Sequence, residues 1–567
     1  LAAESPFSHQ TRAAALESMA AEPVDVLVIG GGITGAGIAR DAALRGFRTA
    51  LVDKADFGAG TSSHSSRLVH GGIRYLEQGA LRLVFEASRE RRVLLSIAPH
   101  LVWPLSFLFP VYRGGRVPAW KLRAGMWLYD LLSAFRNARR HRWLRPKRVR
   151  KTEPALRDRG LVGAALYYDA QTDDARLVLA TVRSAARAGA LVASYAEVAS
   201  LLKADGRVRG AVVRDALTGD SRTIRALVVV NATGPWVDEL RLLDDPDAAP
   251  LLRLTKGAHV TVPRRRIGNE HAVTLLSQID GRVIFVLPWG DLSYIGTTDT
   301  DADSSPDGVR VTAADVTYLL RSANAAFPNA HLAPNDVVSV WAGLRPLLRP
   351  PNDHANPSDV SREHIVVESA GAGGGLITIA GGKLTTYRVM ARDVVNRVAK
   401  RLHELDGRPV AAAPPTDRLP LPGGEAAELD ILIEAARARG VSDATARHLV
   451  ASYGSEAPAI LNLVERARGL GEPILAGRPE LWAEVTYAVE REMALRLQDV
   501  LVRRLHLFYE LRDHATAVVT PVAQRMKQLL GWDDVREAEE LVDYFKMVER
   551  ARAFRTEIGR GSTEITV

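Results

Sequence analysis

Gly30, Gly32 and Gly35 stand in the spacing G-x-G-x-x-G directly after the apolar, β-branched run Val24–Ile29, and that arrangement suits the binding of a phosphorylated ligand. Bare backbone lets a pyrophosphate approach the amino-terminal end of the following helix, where unpaired N–H groups and the helix dipole favour negative charge. Asp53 closes the next short apolar run, Thr49–Val52, where an acid accepts hydrogen bonds from a ribose. Strand, glycines, helix, strand and acid in register predict a dinucleotide site. The competing reading is a tight turn followed by a solvated strand end.

NAD and FAD share this fingerprint. Asn231, Ala232, Thr233 and Gly234 end a later apolar run, and Gly381 with Gly382 precede a helical pattern starting near Thr386. Both stretches would bring further backbone against a cofactor, which an FAD spread over several segments explains better than a single NAD unit. The 567 residues contain no cysteine. Disulfides, thiolate iron–sulfur clusters, a thiol nucleophile and a thiol-linked flavin are therefore excluded, and electrons must ride on a bound organic cofactor. Asp299, Asp301 and Asp303 alternate as in a calcium loop, but Ser304 replaces its glycine and Arg310 its closing glutamate, so no metal is expected.

These residues need a scaffold. Helical periodicity covers 80–97, 175–188 and 386–402, and strand-like runs cover 226–231, 258–262, 283–288, 292–296 and 376–379. Trp289, Gly290 and Asp291 read as a hairpin turn. Strands recurring this late predict a nucleotide-binding domain assembled from separated segments, with a β-rich substrate domain inserted. The domains expected are an N-terminal extension (1–23), an interleaved body (24–410, with substrate parts at 101–170 and 255–340), a proline- and glycine-rich linker (411–424) and a helical domain (425–567). In the helical domain Ser442 reads as an N-cap, and Val489, Met493, Leu497, Val500 and Leu501 as an apolar helical stripe.

The formal charge of +8 and pI of 9.6 favour anionic partners. Much of the charge lies at 120–151. Trp120, Leu122, Met126, Trp127, Leu128, Leu131, Leu132 and Phe135 fit an amphipathic helix. Arg136, Arg139, Arg140, Arg142, Arg145, Lys147, Arg148, Arg150 and Lys151 follow, with Trp143 among them. Apolar and aromatic residues beside a polybasic stretch suit docking on an anionic membrane surface; a solvated basic face over a packed helix is the alternative. The most apolar stretch, 101–112, is too short to span a bilayer and is broken by Pro104 and Pro110. The first residues lack a secretory pattern, so a cytoplasmic location on the inner face of the cell membrane is expected.

The stretch 61–77, TSSHSSRLVHGGIRYLE, resembles the signature of FAD-dependent glycerol-3-phosphate dehydrogenases, as do 296–299 (GTTD), 343–347 (GLRPL) and 381–388 (GGKLTTYR). The resemblance runs from Val24 to Met390, and the helical tail is similar to that family's C-terminal domain; Arg67 stands where the family usually has Lys. It implies an α/β fold: a Rossmann-like FAD-binding domain of the glutathione-reductase/D-amino-acid-oxidase type, with an inserted antiparallel substrate domain and an α-helical C-terminal domain. It also implies oxidation of glycerol 3-phosphate to dihydroxyacetone phosphate by FAD, with electrons passing to a membrane quinone. Arg74, Tyr75 and Lys383 are then assigned to the substrate phosphate, and His259, Arg345 and Arg362 to the reacting carbons. Thr61, Ser62, Ser66, Arg67, His70, Ala232, Gly234, Gly382, Lys383, Leu384 and Thr385 join Gly30, Gly32, Gly35 and Asp53 around the cofactor. His259 is the candidate base, with Arg345 or a water as alternatives. His70 reads as a flavin contact or a buried histidine satisfied by backbone, and Asp299 as a turn cap or a catalytic acid. An oxidase releasing peroxide would use the same substrate site. A flavin-bearing nucleic-acid binder is the reading from another class; no nucleic-acid partner is expected, and a homodimer through the helical tail is.

Overall fold

The computed structural model describes residues 7–77, 79–133, 139–302, 305–350, 362–369, 375–425, 428–467 and 469–563, excluding the side chains of Arg74, Glu77 and 560–563. Strand Val24–Ile29 is central in a first sheet. Thr49–Val52 and Ser221–Asn231 flank it in parallel, with Leu191–Ala193 and Leu376–Gly381 parallel beyond them and His364–Glu368 antiparallel at one edge. Val26, Leu27 and Val28 are fully buried, as are Val228, Val229 and Val230, because both faces of the sheet are covered. Val26 and Val28 face a core shared with helices Ile33–Leu44, Asp174–Arg187 and Tyr387–Asp406. Leu27 and Ile29 face the other way, toward helix His9–Ala21 and the antiparallel ribbon Ala196–Ala204 and Arg207–Asp215, as the two-residue period of a strand requires. Buried Arg12 fastens that helix to Asp215 at 2.7 Å.

A second sheet, chiefly antiparallel, is drawn from Leu68–Val69, from strands within 102–172 and from strands within 252–348. Leu252–Pro263 pairs with Leu292–Gly296 and with Val340–Leu348, which sets His259 opposite both Gly296 and Trp341. Val283–Trp289 and Leu292–Gly296 form the expected hairpin, with Trp289 inside its strand and Gly290 and Asp291 making the turn. Gly290 has φ +55°, a left-handed conformation that costs glycine little.

The tail is helical from Leu429–Ala438 to Asp534–Thr563, and Ser442 caps Asp443–Tyr453 through the Thr445 N–H. Val489, Met493, Leu497, Val500 and Leu501 are all buried, but they do not share one helix. Trp482–Glu492 ends at Met493, which has φ +53°, and Asp499–Arg504 then winds as a wider π turn. The break brings Arg503 and Arg504 onto the buried carboxylate of Asp56, in the loop after Thr49–Val52. A continuous helix would have served the apolar stripe alone. Among the described residues no helix is long and apolar enough to cross a membrane.

Candidate active site

A cavity of about 790 Å³ lies at the carboxyl ends of Val24–Ile29, Ser221–Asn231 and Leu376–Gly381, where ligands bind open parallel sheets. Gly30, Gly32, Asp53, Thr61 and Ser62 line one side, and Ala232, Gly234, Gly382, Lys383 and Leu384 the other. Gly30 has φ +103°, and a Cβ there would lie 2.6 Å from the Ala232 carbonyl oxygen. Gly35 does not reach the cavity. A Cβ on it would come within 1.8 Å of the Gly30 oxygen, so its bareness serves close packing of the helix beneath the loop. Gly32 at the cap has no side chain to accept the first helical N–H groups, and Ser62 Oγ accepts the Ile33 N–H at 3.0 Å. Asp53 is no solvated strand end: its carboxylate accepts the Gly31 N–H at 2.6 Å and the Ala55 N–H at 2.8 Å, and burial pushes its pKa up to about 6. A helix amino terminus, a positive-φ glycine loop and an acid at the second strand's end together fit FAD.

A second cavity of about 590 Å³ shares Thr61, Ser65, Pro346, Gly382, Lys383 and Leu384 with the first, so the two adjoin. Ser66, His70 and Thr385, expected around the cofactor, line only this second cavity, alongside Tyr75, His259, Arg345 and Arg362. Lys383 Nζ is buried without a hydrogen-bond partner among the described residues and sits 3.4 Å over the Tyr75 ring. Burial, reinforced by the charge of Arg362, pushes its pKa down to about 7. Arg345 is held by Asp299 at 3.1 Å and Thr297 Oγ1 at 2.9 Å, so Asp299 orients this guanidinium. His259 Nε2 lies 2.8 Å from Ser66 Oγ, and its ring stacks on Trp341 at 4.9 Å. Burial first, then the charges of Arg345 and Arg67, hold its pKa well below the usual histidine range, which keeps the ring neutral. Gly296 leaves it room, since a Cβ there would lie 2.1 Å from His259 Cδ2. Burial likewise pushes His70 down to about 4.

Arg67, expected at the cofactor, lines neither cavity. Its guanidinium lies 4.0 Å over Trp289 and 3.8 Å from Asp174, where aromatic faces and a carboxylate take up its charge. The Arg74 side chain lies outside the described residues, as do Phe135, Arg136, Asp303 and Ser304. Asp301 is taken by Arg253 at 2.7 Å. Sequence reasoning missed Arg116, Lys121, Arg282 and His64, which also line the second cavity. His64 lies in the signature stretch 61–77 without an assigned role and Lys121 in the segment singled out for its charge, whereas no motif marks Arg116 or Arg282.

Helix Ala119–Leu132 divides the expected apolar set in two. Leu122 and Met126 are buried, whereas Trp120 is 73% exposed, Trp127 60% and Leu131 58%. On its inner side Lys121, Leu122 and Leu128 help wall the second cavity. Phe85 and Leu81, on the neighbouring helix Leu81–Ile97, are also exposed. The basic stretch is not one solvated run: Arg142–Leu144 is a strand paired with Leu161–Thr172, and Pro146–Thr152 is a short helix. Leu144 and Val149 anchor these elements, leaving Arg142, Arg145, Lys147, Arg148, Arg150 and Lys151 exposed.

A glycine-loop cavity in a parallel sheet, adjoining a cationic cavity under an antiparallel one, defines an FAD-dependent oxidoreductase. The family described as FAD dependent oxidoreductase matches residues 25–388, and that described as the C-terminal domain of alpha-glycerophosphate oxidase matches residues 414–537. The glycerol-3-phosphate dehydrogenase of Mycobacterium leprae (strain TN) is 39% identical over 554 residues, spanning 96% of this chain and 91% of that protein. The aerobic glycerol-3-phosphate dehydrogenase of Staphylococcus haemolyticus (strain JCSC1435) is 36% identical over 517 residues, 89% of this chain and 91% of that one. The X-ray structure of the glycerol-3-phosphate dehydrogenase from Bacillus halodurans complexed with FAD superposes with a TM-score of 0.80 at 33% identity, over 96% of this chain and 98% of that one. The chain belongs to the FAD-dependent glycerol-3-phosphate dehydrogenase family.

Proposed function

We propose that the protein oxidises sn-glycerol 3-phosphate to dihydroxyacetone phosphate with FAD and delivers the electrons to a membrane quinone. The observation that carries the substrate is the set of cations in the wall of the second cavity, Lys383, Arg362 and Arg345, of which Lys383 Nζ has no hydrogen-bond partner among the described residues. A phosphate dianion supplies what that nitrogen lacks. The names of the relatives support the same substrate.

Backbone at Gly30 and Gly32 would hold the pyrophosphate of FAD and Asp53 its ribose. When bound, FAD supplies the acceptor for the hydride that leaves carbon 2. Lys383, with Arg74 and Tyr75, holds the substrate phosphate and so fixes the carbinol, with Arg362, assigned from the sequence to the reacting carbons, close enough to Lys383 to lower its pKa. His259 is neutral and takes the hydroxyl proton on Nε2, which faces Ser66. Arg345, immobilised by Asp299 and Thr297, stabilises negative charge on the oxygen as that proton departs.

Quinone as acceptor rests on the second cavity's apolar wall. Phe107, Phe109, Leu122, Leu128 and Phe285 line it, and apolar and aromatic side chains suit a hydrophobic acceptor. The cavity's outer wall is the helix that exposes Trp120 and Trp127 beside exposed arginines, which supports peripheral docking on the inner face of the cell membrane. Aerobic turnover with glycerol 3-phosphate tests the acceptor. Fast reduction of a soluble quinone analogue with little peroxide supports the dehydrogenase, and one peroxide per substrate oxidised would make the protein an oxidase.

A further inference from the structure

The C-terminal domain reaches the segment that lines both cavities. Helix Leu507–Glu510 carries Tyr509, which is buried and whose hydroxyl lies 3.3 Å from His64 Nε2. His64 Nδ1 is 2.8 Å from the Gly60 carbonyl oxygen and must donate to it. In a neutral ring Nε2 is then the acceptor and Tyr509 the donor. Burial, the largest influence on His64, favours that neutral ring.

Around this bond the 60–67 segment is clamped between the C-terminal domain and the strand bearing Arg345. Thr61 Oγ1 donates to the Leu344 carbonyl at 2.7 Å, and a Cβ on Gly343 would lie 2.7 Å from the His64 oxygen. Trp341 Nε1 donates to the Ser65 carbonyl at 3.1 Å. The Tyr509 ring meets Trp341 edge-on at 5.5 Å, and Trp341 stacks on His259 at 4.9 Å. One side chain of the C-terminal domain thus supports the wall residue His64 through its hydroxyl and the histidine that takes the substrate proton through its ring.

We propose that Tyr509 is a positioning residue for substrate oxidation, and that through it the C-terminal domain completes the active site. Tyr509 touches neither the substrate nor the cofactor cavity; it acts through His64 and through Trp341 on His259. This inference rests on the proposed oxidation of glycerol 3-phosphate.

The test compares Tyr509→Phe and Tyr509→Leu holoenzymes with wild type in three measurements: anaerobic bleaching of the flavin band over a range of glycerol 3-phosphate concentrations, KM, and FAD affinity by fluorescence titration. Loss of the hydroxyl in Tyr509→Phe should lower the limiting rate of bleaching about three- to tenfold, the equivalent of one neutral hydrogen bond. KM and FAD affinity should stay near wild type. Tyr509→Leu also removes the brace on Trp341 and should lower the rate further. A wild-type rate in the Phe variant, or a parallel loss of rate, KM and FAD affinity, would reduce Tyr509 to packing and overturn the proposal, whether or not the Leu variant folds. Wild-type protein that glycerol 3-phosphate fails to bleach would instead sink the functional reading beneath it.

Discussion

Replacing Lys383 by Gln removes the cation in the wall shared by the two cavities, whose Nζ lacks a hydrogen-bond partner among the described residues. If that nitrogen holds the substrate phosphate, the variant forfeits a charge-assisted bond of about 1.5–3 kcal/mol, a factor of about 10 to 150 in kcat/KM. The pH profile adds an independent signature. The pKa of Lys383 lies at about 7, below its ordinary 10.5, so the free enzyme carries the charge below pH 7 and loses it as pH rises. Wild-type kcat/KM should therefore rise through the second ionisation of the substrate phosphate near pH 6, then fall above about pH 7 toward the level of the variant. The variant should lack the alkaline limb, since kcat/KM reports ionisations of the free enzyme. Stability follows by linkage: a folded-state pKa below the unfolded value means that the unfolded chain binds more protons between about pH 7 and 10.5. Substrate-free wild type should gain stability relative to Lys383→Gln across that window. Steady-state kinetics at pH 5.5 to 9, normalised to bound FAD, measure the loss and the pH profile, and denaturant unfolding over about pH 7 to 10 measures the stability. A Lys383→Gln enzyme with full FAD and wild-type kcat/KM at pH 6 refutes the phosphate assignment, and one that loses FAD moves Lys383 to the cofactor.

Other expectations can be measured directly. His259→Asn should lower the limiting rate of flavin bleaching about 10²- to 10⁴-fold, the usual worth of a positioned base, with KM little changed; a loss under tenfold would exclude His259 as the proton acceptor. Gly35→Ala places a methyl 1.8 Å from the Gly30 oxygen and should yield destabilised protein without FAD, whereas full FAD at an unchanged melting temperature would contradict the glycine-loop geometry. Trp120→Ser combined with Trp127→Ser should weaken sedimentation with anionic vesicles at least tenfold, given about 1.5–3 kcal/mol for each large side chain withdrawn from the lipid interface. Activity on a soluble acceptor should persist, and undiminished vesicle binding would place the membrane contact elsewhere.

The sequence discloses what depends on local chemistry. A strand, a glycine turn and a helix follow one another within a few residues, so Val24–Ile29, Ile33–Leu44 and Thr49–Val52 were legible from periodicity and spacing. The clustering of His259, Arg345, Arg362 and Lys383 was legible only through the family resemblance, because sheet pairing brings them together from distant strands and loops. Arg67 was placed at the cofactor by its position in the signature stretch, and that position did not disclose that its side chain turns onto Trp289 and Asp174. The apolar stripe beginning at Val489 announced burial but not the break at Met493, since the demand of Asp56 for Arg503 and Arg504 comes from the far end of the chain. Tyr509 and His64 meet across 445 residues, a pairing that no local pattern encodes. The exposed faces of Trp120 and Trp127 were hidden for a different reason: a helix between a cavity and the surface is apolar on both sides, and periodicity cannot assign them.

The central claim is that this chain carries FAD and reduces it with glycerol 3-phosphate. The most direct test is the visible spectrum of the purified, FAD-loaded protein under anaerobic conditions, titrated with glycerol 3-phosphate and then with a soluble quinone analogue. The account predicts a flavin band that bleaches with the substrate, is indifferent to unphosphorylated glycerol at the same concentration, and returns with the quinone. A flavin band unmoved by glycerol 3-phosphate would contradict the substrate, and failure to take up FAD at all would contradict the cofactor site.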